Sequence, residues 1–140
     1  MGKKLITWSE EYELGFKTID EQHQVLVGLI NELYSAFIDA EAMEAISGIL
    51  DKMLDYTGYH FKTEEDFFLK NNYPDIENHK KEHELFVEKT KSFINKFSQD
   101  DAELTYDVMN FLRGWLLAHI QGSDKEYSRY FVKKGVTDIS

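Results

Sequence analysis

Five histidines stand in a chain of 140 residues that has no cysteine. His79 and His83 are four residues apart, His60 and Glu64 are four apart, His23 and His119 stand singly, and Asp124 follows His119 by five. Imidazole and carboxylate together make a ligand set for a borderline metal ion. Without thiols, disulfides, iron–sulfur clusters and thiolate zinc sites are excluded, so any metal must be held by histidine and carboxylate.

Whether these side chains can converge depends on the elements that carry them. Apolar residues recur at alternating spacings of three and four in four segments, the pattern of a helix that buries one stripe. The first stripe is Ile19, His23, Leu26, Ile30, Leu33, Phe37, and Thr18-Ile19-Asp20-Glu21 at its start fits a capping box. The second is Ile46, Leu50, Met53, Thr57, His60, Glu64, Phe67, stopping before Pro74, since proline disfavours helix in the residue ahead of it. The third is Ile76, His79, His83, Phe86, Thr90, Phe93, Phe97; the fourth is Val108, Leu112, Trp115, His119, with Gly122 as its C-terminal stop.

The spacing predicts helices over about 19–38, 41–70, 75–97 and 101–121, with an arm over 1–17 and a C-terminal segment over 123–140. Short connections around Asp39 to Glu41, Asn71 to Asp75 and Ser98 to Asp101 favour antiparallel neighbours. The expected fold is therefore all-α, a single domain built as an up-down-up-down four-helix bundle. Residues 1–16 lack a period but carry Trp8, Leu14 and Phe16, so an irregular arm packed along the bundle is expected.

All five histidines and Glu64 fall on the core stripes. A lone core histidine is ordinarily bonded to a carbonyl or water, but a buried carboxylate among several buried imidazoles is costly unless they share a partner. Residues i and i+4 differ by about 40° around a helix, so both pairs can aim at one centre. His23 begins the first helix, His60 and Glu64 end the second, His79 and His83 begin the third and His119 ends the fourth, so antiparallel packing brings them to one end of the bundle. Asp124 is open on spacing alone. On a regular helix i+5 points about 140° away, so it either swings inward past a loosened Gly122-Ser123 or is an exposed acid after the helix. Phe61, Trp115, Leu116 and Ile120 adjoin the candidate ligands and would wall any coordination position left open. Apart from Glu64, Thr63-Glu64-Glu65-Asp66 and Lys80-Lys81-Glu82 read as solvated faces.

Composition narrows the partners. Acidic residues outnumber basic ones 26 to 16, and a net charge of -10 repels nucleic acid and anionic membrane surfaces. The N-terminus lacks the apolar stretch of a signal peptide, and no later run is long or apolar enough to span a bilayer, so the cytoplasm is the expected compartment; a monomer is expected. No protein partner is legible.

Taken together, Asp20-Glu21-Gln22-His23, His60-Phe61-x-x-Glu64, His79-x-x-x-His83 and His119-Ile120-x-x-x-Asp124 resemble the hemerythrin family in its stand-alone bacterial form, over nearly the whole chain from Trp8 through Phe131. The resemblance implies a non-haem di-iron centre with a bridging oxo or hydroxo group. One iron would take His79, His83 and His119, the other His23 and His60, with Glu64 and Asp124 bridging. It implies dioxygen as ligand, in transport, storage or delivery, with Phe61, Trp115, Leu116 and Ile120 lining the oxygen pocket. Counted against two octahedral metals, five imidazoles, two bridging carboxylates and one solvent-derived bridge leave a single vacancy, which suits a diatomic ligand. Binding without turnover is expected.

Two other classes compete. A di-iron oxidase, peroxide-handling or iron-handling enzyme would favour Glu-x-x-His pairs, and none of the five histidines has Glu three residues before it. A sensor of oxygen or nitric oxide would need a separate partner. Zinc hydrolysis lacks its His-Glu-x-x-His.

Overall fold

The computed structural model describes residues 4–40, 43–96 and 102–136. Four long helices form the bundle: α1 (Lys17–Ile38), α2 (Met43–Lys70), α3 (Ile76–Lys96) and α4 (Ala102–His119). α2 packs against α1 and α3, and α4 closes the bundle against α1 and α3. No strand occurs among the described residues. Phe97 and the Ser98 to Asp101 connection lie outside them, as do the outer ends of the arm and of the C-terminal segment.

The stripes face inward. Ile19, Leu26, Ile30, Leu33, Leu50, Met53, Phe86, Val108 and Leu112 are almost fully buried, each contributing about 1.5–3 kcal/mol relative to exposure. The core has two parts. The larger runs along the bundle through Leu33, Leu50, Phe86 and Leu112; the smaller gathers Leu14, Phe16, Ile19, Phe67, Phe68, Tyr73, Tyr127 and Phe131 at one end. The histidines lie between them.

The termini of the helices differ in detail from the sequence reading. α1 starts one residue before Thr18, with Phe16 at the N-cap position and no side-chain cap. The Asp20 carboxylate instead turns back to accept the backbone N–H groups of Leu14 (2.8 Å) and Gly15 (3.2 Å). α2 does end ahead of Pro74, and the stop is made by Asn72. Its φ of 53° is left-handed, and Tyr73 N–H returns to the Phe68 carbonyl at 3.0 Å, a Schellman closure.

Gly122 does not stop the fourth helix. Its φ is not positive, and the chain passes through a π-helical segment, Ile120–Asp124, into a further helix, α5 (Lys125–Lys133). The reason is a buried stripe beyond it: Asp124, Tyr127, Ser128 and Phe131 face the interior at helical spacing. The stop falls at Gly135, whose φ is 82°. There Gly135 N–H reaches the Val132 carbonyl and Val136 N–H the Phe131 carbonyl, both at 3.0 Å.

The arm is irregular except for one 3-10 turn, Glu10–Tyr12. Besides the Asp20 contacts above, it is tied along the bundle through Asn31 and Ser128. Asn31 accepts from Leu5 and Ile6 N–H and donates to the Ile6 carbonyl, and Ser128 donates to the Leu14 carbonyl at 2.7 Å.

Candidate metal centre

Each candidate ligand sits where its helix approaches the shared end of the bundle. His23, His60, Glu64, His79, His83, His119 and Asp124 are all buried, none more than 3% exposed. Glu64, His79, His83 and His119 bring ligand atoms within 4.8 Å of one another, and so do His23, His60, Glu64 and Asp124. Glu64 belongs to both groups. The arrangement can hold a metal ion in either group.

Asp124 reaches the interior because of the π segment. In a π turn the bond closes from i to i+5, so residues five apart return to one face, where an α-helix would separate them by about 140°. Asp124 Oδ1 thus lies 3.1 Å from His119 Nε2 and 2.9 Å from His79 Nε2, while Oδ2 lies 3.0 Å from His23 Nε2. The two oxygens of one carboxylate face imidazoles of both groups. Glu64 Oε1 is 3.2 Å from His83 Nε2 and 3.4 Å from His60 Nε2.

These are close approaches, yet Nε2 of His23, His79, His83 and His119, Oε1 of Glu64 and both oxygens of Asp124 have no well-directed hydrogen bond. Buried polar atoms ordinarily have partners. Apart from Trp8 Nε1, Thr90 Oγ1 and His23 Nδ1, the unpartnered buried side-chain atoms among the described residues are those that point at common centres, so this donor set fits a cation.

The opposite edges of the imidazoles are held. Nδ1 of His60 donates to Gln22 Oε1 at 2.7 Å, Nδ1 of His83 to Glu65 Oε2 at 2.8 Å and Nδ1 of His119 to Glu82 Oε1 at 3.0 Å. A carbonyl or carboxylate oxygen can only accept, so each of these rings carries a proton on Nδ1, which leaves the inward-facing Nε2 as the nitrogen a metal could bind. The Ser123 hydroxyl anchors Glu82, 2.8 and 2.7 Å from its two oxygens, and Tyr127 donates to Glu64 Oε2 at 2.6 Å.

The electrostatics of the protein groups alone also call for positive charge. Glu64 and Asp124 are held well below the usual carboxylate range: burial opposes ionisation, but the surrounding imidazoles outweigh it. Burial pulls His79 down, yet Asp124 and Glu64 raise it to about 10. His119, opposed in the same way by burial, is raised by Asp124 and Glu82 to about 9. His60 goes the other way, to about 3, because burial exceeds the attraction of Glu64. Protons on His79 and His119 therefore balance the two carboxylates, and a cation would displace them.

The four residues expected to wall an open position lie close to these imidazoles or in the same core. Phe61 stacks on His83 with ring centroids 3.8 Å apart, and Trp115 on His119 at 4.4 Å. Leu116 and Ile120 are buried in the larger core cluster with Phe61. On the other side, Phe68 and Tyr127 set their rings edge-on to His79.

The reading of Glu65 and Glu82 as solvated faces is corrected by these contacts, for each is a hydrogen-bond acceptor behind a buried imidazole. Gln22 and Tyr127 were missed as well. A signal existed: Gln22, Glu65 and Glu82 each adjoin a candidate ligand in sequence. Adjacency does not identify their partners, because each reaches across to a histidine on the next helix.

Fold and site together define a class: a four-helix bundle with a buried histidine and carboxylate centre able to hold cations. The family model described as the hemerythrin HHE cation binding domain matches residues 14–131, and the chain belongs to the hemerythrin family. It is 34% identical over 124 residues to the bacteriohemerythrin of Methylococcus capsulatus, covering 88% of this chain and 94% of that one. It is also 34% identical over 120 residues to a hemerythrin-like protein of Naegleria gruberi, covering 86% and 88%. A crystal structure of wild-type hemerythrin superposes with a TM-score of 0.77 at 33% identity, covering 89% of this chain and 96% of that chain.

Proposed function

We propose that the centre holds two iron ions and binds dioxygen reversibly, as a carrier, store or delivery protein. His79, His83 and His119 would hold one ion and His23 and His60 the other, with Glu64 and Asp124 bridging them beside a solvent-derived oxo or hydroxo group. The observation that carries this reading is the pair of ligand groups sharing Glu64, with Asp124 turned to both. When bound, two ferrous ions supply the pair of electrons that makes dioxygen uptake possible.

The chain's own residues account for the rest. Gln22, Glu65 and Glu82 hold three imidazoles in the ligating tautomer. Tyr127 fixes the orientation of Glu64. Phe61, Trp115, Leu116 and Ile120 supply apolar surface beside the centre, which would exclude water and anions and so favour release of the ligand unchanged. A shell rich in imidazole and poor in carboxylate favours holding dioxygen over activating it. No helix among the described residues is long and apolar enough to cross a membrane.

Elemental analysis of anaerobically purified protein, followed by optical titration of the reduced form with dioxygen and its removal under argon, tests the proposal. Two irons per chain and a reversible spectral change are expected. One zinc as the native content, or a change that argon does not reverse, would overturn it.

A further inference from the structure

The bridging carboxylates are shared between the two ligand groups, so any inequality between the groups must come from what they do not share. Behind the three-histidine group stand two anions: Glu65 accepts from His83 Nδ1 at 2.8 Å and Glu82 from His119 Nδ1 at 3.0 Å. Behind the two-histidine group stands none. His60 Nδ1 meets the neutral amide of Gln22 at 2.7 Å, and His23 Nδ1 has no hydrogen-bond partner. An anionic acceptor behind a ligating imidazole increases the electron donation of the opposite nitrogen, and this stabilises the higher oxidation state of the metal it holds.

Resting on the di-iron reading above, we propose that Glu65 and Glu82 make the three-histidine position the one that keeps a ferric ion, and that Gln22 leaves the two-histidine position to accept the first electron. Glu65 and Glu82 are 26% and 39% exposed, so solvent weakens their long-range field. Their effect passes through direct hydrogen bonds, which salt does not screen in the same way. Ser123 keeps the Glu82 carboxylate in place. The step is a bare electron transfer: a one-electron mediator dye at a poised electrode is oxidised, the diferric pair becomes one ferrous and one ferric ion, and no bond forms or breaks.

The test uses the full chain loaded with iron, titrated with mediator dyes under argon, with proton NMR of the half-reduced form. Two sets of shifted, solvent-exchangeable ring N–H signals are expected, with three signals in the more strongly shifted ferric set, because three imidazoles ligate the ferric ion. Only two in that ferric set would place the ferric ion at the other position and overturn the proposal. Two variants separate charge from structure. Glu65→Gln with Glu82→Gln keeps an acceptor but removes the charges, and should raise the second midpoint by about tenfold in the reduction equilibrium, about 59 mV. Gln22→Glu adds a charge behind His60 and should lower the first midpoint. General damage would not move the midpoints in opposite senses. Should the double variant fail to load iron, Gln22→Glu decides alone, and an unmoved first midpoint counts against the proposal. If the parent holds no pair of irons, the di-iron reading falls and takes this one with it; a pair of irons with the wrong signal count defeats this one only.

Discussion

The Tyr127 hydroxyl donates to Glu64 Oε2 across 2.6 Å, joining the helix beyond the π segment to the carboxylate that both ligand groups share. Both residues are fully buried. Tyr127→Phe leaves that oxygen without its donor, which should cost about 1–3 kcal/mol of stability in the metal-free protein. Urea unfolding measures it. Chelator competition should show iron held about tenfold more weakly, the usual effect of losing a residue behind a ligand. A loss below about 0.5 kcal/mol with unchanged chelator competition would mean that Glu64 does not depend on this bond.

Glu64→Ala should empty both metal positions together, because Glu64 contributes to both groups. His23→Ala, by contrast, should affect chiefly the position shared with His60. Iron per chain after anaerobic loading distinguishes the two. Loss of a single iron in Glu64→Ala would show that the carboxylate serves one position.

The metal-free protein should be most stable near pH 6.5. His79 and His119 titrate at about 10 and 9, above the ordinary 6.5, so the stability they contribute is complete below about pH 6.5 and is lost as pH rises through 9 to 10. His60 titrates at about 3, so its contribution is present above 6.5 and is lost as pH falls toward 3. Glu64 and Asp124, held below their usual values, steepen the acid side. Iron should raise the thermal midpoint throughout the neutral range and flatten the alkaline limb, since it replaces the protons on His79 and His119. Melting curves against pH, before and after chelation under reducing conditions, check this. An alkaline limb unchanged by iron would contradict it.

Leu116→Ala should leave iron content intact while shortening the time over which the reduced protein keeps its capacity for dioxygen in air. Leu116 is 3% exposed, and truncation opens space beside the centre that water can enter, at a stability cost of about 2–5 kcal/mol. Stopped-flow mixing with dioxygen, repeated after incubation, gives the rate of loss. A variant whose pocket is demonstrably wetter but whose capacity lasts as long as the parent's would show that exclusion of solvent is not the protective factor.

Much of the bundle is legible in the chain. Four stripes with a spacing of three and four place Ile19, Leu50, Phe86 and Leu112 inside, and the same stripes carry His23, His60, Glu64, His79, His83 and His119. Periodicity works here because a helix presents the same face at that interval whatever it packs against. Convergence at one end then follows from antiparallel order.

Helical periodicity alone places the five histidines and Glu64 in the interior. How Asp124 joins them, and what stands behind the imidazoles, depends on contacts between helices that periodicity does not describe. Gly122 signals a helix end in any local reading, yet the buried stripe of Tyr127, Ser128 and Phe131 favours continuing the helix, and the π segment reconciles that continuation with an inward Asp124. Gln22, Glu65 and Glu82 look like surface residues because periodicity describes a helix's own faces. Their bonds to His60, His83 and His119 cross to the next helix in each case, and such contacts depend on how closely and at what rotation two helices pack.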